Sequence, residues 1–73
     1  MQAIHEQVNL TYGELALLIG ERKRGLARLS VAARTLAERQ LCDIAVDICD
    51  AAKIRGDDYE SFMLKAGFPP GWE

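Results

Sequence analysis

The sequence is poor in the features that usually hold a small protein together. Its two cysteines are too few for a disulfide framework, and with a single histidine they are too few for a closed zinc site. No apolar run reaches the ~18 residues of a membrane span, so no membrane association is expected. The opening Met1-Gln2-Ala3-Ile4-His5-Glu6 lacks a basic segment followed by an apolar one, so no secretory signal is expected and a cytoplasmic location is. There is no Ser/His/Asp set, no phosphate-cradling glycine loop and no carboxylate pair that a hairpin could bring into one cleft. His5 has no catalytic partner nearby in sequence. These absences predict a protein that is not an enzyme and needs no metal or cofactor.

What is present is a balanced globular composition. The 73 residues are 49% apolar and 27% charged, which suits one folded domain spanning 1–73. A unit of this size buries only ~60% of its unfolded surface. With disulfides and metal set aside, self-association is the stabilising device left.

In Ile4-His5-Glu6-Gln7-Val8-Asn9-Leu10, Ile4, Val8 and Leu10 share one parity, which predicts a short strand over 4–10. No second strand pattern follows, so its backbone partner would come from another chain. Thr11-Tyr12-Gly13-Glu14 is a capping box opening a helix over 12–29, with an apolar stripe of Leu15, Leu18, Ile19, Leu26 and Leu29 that also contains Arg22. Ala16 and Gly20 lie one turn apart and would let a neighbouring helix approach closely. The reversal is expected in Ser30–Arg34. Thr35-Leu36-Ala37-Glu38 reads as a second capping box, starting a helix over 35–54 that Lys53, Arg55 and Gly56 would close.

The stripe of this second helix is Ala37, Leu41, Ile44, Ala45, Ile48 and Ala52, widened by Cys42, Val46 and Cys49. One partner helix cannot cover that width, so a second partner is expected. Asp57 or Asp58 would start a third helix over 58–66. Gly67 suits its C-terminal cap, Phe68 could fold back on Met63, and Pro69-Pro70 stops it. The predicted architecture is mainly α: an antiparallel helical hairpin with a short N-terminal strand and a short C-terminal helix. It would form a homodimer with a four-helix core built from Leu15, Leu18, Ile19, Leu41, Ile44 and Ile48.

The formal net charge of -2 hides a strong segregation. Residues 1–21 carry three acids and no Lys or Arg; residues 22–39 carry six bases against Glu38; residues 40–73 carry seven acids against three bases. Arg22-Lys23-Arg24 with Arg28 is the strongest charged feature, and three readings of it compete. It could be a solvated helix end, paired with the aspartates of the second helix. It could bind DNA, since Leu15-Ala16, Ile19-Gly20, Leu26 and Leu29 loosely match helix-turn-helix spacing. Glu21, the unbroken periodicity across Gly20 and the acidic total weaken that match. It could dock a protein, with Arg22, Lys23, Arg24, Arg28 and Trp72 as partner-binding residues, since Arg and Trp are favoured at interface hot spots. Asp43, Asp47 and Asp50 on one helix do not converge as a looped calcium site does. Cys42 and Cys49, seven positions apart, read as small buried apolar residues rather than a redox pair.

Taken together, the Val8-Asn9-Leu10-Thr11 run, its passage into the Thr11–Glu14 cap, two helices of similar length and a short tail resemble small phage-encoded proteins that fold as dimerising helical hairpins. The nearest family is the phage quorum-sensing anti-activators. The resemblance is one of architecture and covers most of the chain. It implies a non-enzymatic inhibitor acting in the host bacterial cytoplasm on a quorum-sensing transcription regulator or, as some members do, on the type IV pilus assembly ATPase. The alternative from the residues is a small helix-turn-helix-like DNA-binding regulator.

Overall fold

A computed structural model describes residues 11–72. The strand expected over 4–10 lies outside the described residues, among which no strand occurs. The chain forms α1 (Tyr12–Gly25), a single 3-10 turn (Leu26–Arg28), α2 (Val31–Ala52) and α3 (Asp57–Lys65). A non-helical tail follows α3.

The Thr11 capping box forms as its sequence predicts. Glu14 N–H donates to Thr11 Oγ1 at 3.1 Å, and Thr11 N–H donates to Glu14 Oε1 at 3.2 Å. α1 ends at Gly25, earlier than the expected 29, because the chain tightens into the 3-10 turn. Leu29 (ψ 161) and Ser30 (ψ 162) are then extended and reverse it. The start of α2 corrects the sequence reading. Ser30 is the cap, accepting from Ala33 N–H at 3.4 Å, and the helix begins at Val31 rather than 35. Thr35 lies inside it, its hydroxyl donating to the Val31 carbonyl at 2.9 Å. The earlier hydroxyl wins because Val31-Ala32-Ala33 holds nothing that stops a helix, and each added residue gains a backbone hydrogen bond.

The end of α2 is a second correction. Lys53, not Gly56, takes the left-handed conformation (φ 61, ψ 36). Lys53 N–H bonds the Asp50 carbonyl (3.2 Å) and Ile54 N–H the Cys49 carbonyl (2.8 Å), the pair of bonds that closes a Schellman motif. Gly56 (φ 64, ψ -133) instead caps α3, in a backbone region that side chains disfavour. Neither Asp57 nor Asp58 provides a side-chain cap; with Glu60 they place negative charge in the first turn, where the helix dipole favours it. The end of α3 follows expectation. Gly67 (φ 91) and Phe68 form the Schellman pair, with Phe68 N–H to the Met63 carbonyl at 2.8 Å and both side chains buried.

The core belongs to one chain. Ala16 and Ile19 of α1, Ala45 and Cys49 of α2, and Phe62, Met63, Ala66 and Phe68 of α3 and the tail are all buried. The first two helices contribute mostly small residues; α3 and the tail contribute most of the bulk. α1 packs on both other helices and more extensively on α3. A methyl group on Gly20 would stand 2.8 Å from the Lys65 carbonyl oxygen, so the Ala16/Gly20 face does admit a close neighbour. That neighbour is α3, and this turns the buried face of α1 away from the leucine stripe toward Ala16, Ile19 and Gly20.

α3 also packs on α2, and Cys49 is buried in the core they share, while Ile44 and Val46 stay exposed. Three helices and the tail of one chain form the core of the described residues. Burial in this apolar setting pushes the Cys49 thiol up, away from the thiolate that redox chemistry uses. No described helix is long and apolar enough to cross a membrane.

Candidate binding surfaces

Two surfaces stand out, one at each end of the chain's logic. The first is the elbow between α1 and α2. Arg22, Lys23 and Arg24 fall in the last turn of α1, where cations meet the negative end of the helix dipole. Arg28 follows in the 3-10 turn, and Arg34 and Arg39 lie on α2. Arg22, Arg24, Arg28 and Arg39 are exposed. Among the described residues none of them forms an ion pair, so the aspartates of α2 do not neutralise them. Asp43, Asp47 and Asp50 are themselves exposed, on the second half of α2. Between and beside the arginines, Leu29, Val31 and Leu36 are 42%, 69% and 60% exposed. The elbow thus combines guanidinium groups unpaired among the described residues with exposed aliphatic side chains.

Lys23 does not belong to this free set. Its stem passes over Gly67, with Cδ 2.8 Å from where a Cβ would stand, and its ammonium lies 5.4 Å from the centre of the Phe68 ring. Trp72 meets the same ring edge-on, with centroids 4.9 Å apart. The structure therefore gathers Lys23 and Trp72 around Phe68 and leaves Arg22, Arg24 and Arg28 outside that cluster.

The residues expected in a dimer core divide similarly. Ile19 is buried within the chain, and Leu15, Leu41 and Ile48 are half-buried. Leu18 and Ile44 stay 44% and 49% exposed.

The second surface was not anticipated from the sequence. The tail after Gly67 turns back, with Trp72 N–H bonding the Pro69 carbonyl at 3.0 Å and Gly71 at φ 76. Proline second and a positive-φ glycine third is the pattern of a type II turn. The turn walls a pocket of about 560 Å³ against α3 and α2, lined chiefly by Tyr59, Met63, Phe68, Pro70 and Trp72, with Cys42 from α2 and Glu60 at α3. The available signal was Phe68-Pro69-Pro70-Gly71-Trp72, an aromatic at each end of a tight turn. Its walls come from three separate stretches, so their meeting could not be read locally.

No family model, curated protein or solved structure matches this chain. Among the described residues no group of three or more His, Cys, Asp or Glu side chains converges on a common point.

Proposed function

We propose that this protein is a small, non-enzymatic inhibitor that binds a bacterial host protein through its basic elbow. Arg22, Arg24 and Arg28 would anchor it to an acidic surface, with the neighbouring Leu29 and Val31 as apolar contacts. One observation carries the reading: these arginines are exposed and have no ion pair among the described residues, beside aliphatic side chains that nothing covers. An unpaired guanidinium gives up no existing partner on binding. Interface cores favour arginine with apolar neighbours. The architectural resemblance to phage quorum-sensing anti-activators supplies the target classes: a quorum-sensing transcription regulator or the type IV pilus assembly ATPase in the host cytoplasm. A homodimer belongs to the same proposal. A second copy laid over Leu18 and Ile44 would cover exposed apolar surface and present the elbow twice.

The alternative, DNA recognition, is less well served, because α1 runs unbroken through Gly20, where a helix-turn-helix needs its turn. The deciding experiment is capture of the host protein by tagged wild-type chain and by an Arg24→Ala/Arg28→Ala variant. The variant should keep its melting temperature and lose ~2 kcal/mol or more of binding. Equal capture would refute docking at the elbow. A DNA complex that weakens steeply with salt would favour the regulator. Unfolding that does not depend on protein concentration would refute the dimer.

A further inference from the structure

The tail pocket has features that the elbow reading does not use. Its volume of about 560 Å³ falls within the range of small-ligand sites, about 300–1,000 Å³. Three aromatic rings line it, those of Tyr59, Phe68 and Trp72. Aromatic faces carry negative quadrupole charge and attract cations. Among the described residues the single charged side chain in its lining is the carboxylate of Glu60, and no lysine or arginine lines it. Glu60 is exposed, so its charge is available at the mouth rather than spent within the core. One ring of the set already attracts an ammonium group: Lys23 Nζ lies 5.4 Å from the Phe68 centroid. An anion would meet Glu60 and the ring faces unfavourably. A purely apolar ligand would leave the carboxylate without a role.

We propose that this pocket binds an organic cation, an alkylated ammonium group, with the half-buried Tyr59 and Trp72 rings beside the cation and Glu60 as its counter-charge. Lys23 sits behind Phe68 with the same sign as the ligand and therefore opposes binding. The two charged residues should thus act in opposite directions on the same ligand. Nothing in this inference depends on what the elbow binds.

Trp72 is the only tryptophan of the chain and lines the pocket, so its fluorescence reports occupancy directly. The probe is choline, compared with dimethylbutanol, its uncharged carbon analogue, each titrated into the full chain at constant ionic strength. Choline should give a saturable change and bind about tenfold more tightly than the analogue. Glu60→Gln should weaken choline about threefold and leave the analogue unaffected. Lys23→Met, which keeps the stem over Gly67, should tighten choline and likewise leave the analogue unaffected. Melting curves establish that both variants fold. Equal affinity for the two probes, weakening by Lys23→Met, indifference to Glu60→Gln in a folded variant, or no saturable signal with choline would each overturn the proposal.

Discussion

The elbow and the tail handle apolar surface in opposite ways. From Arg22 to Arg39 the chain exposes Leu29, Val31 and Leu36 among arginines, and among the described residues no ion pair ties the exposed ones down. From Tyr59 to Trp72 it buries Phe62, Met63, Ala66 and Phe68 and sets Trp72 edge-on against Phe68. The elbow is held by backbone geometry and one serine cap. The tail is held by side-chain packing against both other helices. In a molecule only 16 Å across its thinnest direction, three helices cannot cover every apolar side chain. The aromatics after Asp57 fill the space between helices, and the aliphatics of the elbow are left uncovered. Stability is thereby concentrated at one end and surface available for a partner at the other.

That contrast can be broken most directly at Phe68. Fully burying a phenylalanine contributes several kcal/mol, so Phe68→Ala should destabilise by ~3–5 kcal/mol in denaturant unfolding. In a domain this small such a loss would leave most of the chain unfolded at room temperature. A loss below ~1 kcal/mol would mean that the tail is not part of the core.

The seam between α1 and α3 is the next test. Gly20→Ala places a methyl group 2.8 Å from the Lys65 carbonyl oxygen, a backbone atom that cannot swing aside. Although alanine is the better helix former, the substitution should cost ~1–3 kcal/mol. A gain of ~1 kcal/mol, the propensity difference alone, would show that α3 is not packed there.

The smallest effect sharpens the elbow. Ser30→Ala removes the side-chain cap of α2 and should cost ~1 kcal/mol. Thr35→Ala removes only a hydroxyl that bonds back to Val31 inside the helix, and should change stability by less than ~0.5 kcal/mol. Melting temperatures of the two variants give the order; the reverse order would restore a helix start at residue 35.

Local chemistry made some of this legible. Thr11 and Glu14, three positions apart, satisfy each other's backbone donors whatever the rest of the chain does, and the box is present. Gly67 followed by an apolar Phe68 closes α3 for the same local reason. The capping-box spacing of Thr35 and Glu38 pointed to a helix start at 35, but Ser30 supplies the cap, because Val31-Ala32-Ala33 can extend the helix backwards. At the end of α2 the glycine signal misled, because Lys53 takes the left-handed position and Gly56 belongs to the next helix.

By itself, then, the sequence determined a mainly helical chain of three helices, the caps whose partners lie within a few residues, and the charge block at 22–39. Hydrogen bonds of short sequence separation and the positions of charges depend little on how the helices are arranged. Only the tertiary structure decided which face of α1 is buried. The leucine stripe has the greater hydrophobicity, but Ala16 and Gly20 let α3 approach closely enough to pack Phe62 and Met63. It also decided that α3 packs on α2 and shares in burying Cys49, while Val46 of the same row stays exposed. The tail pocket was decided there too, because residues 42, 59–60 and 68–72 share no periodicity and meet only after the chain has folded back on itself.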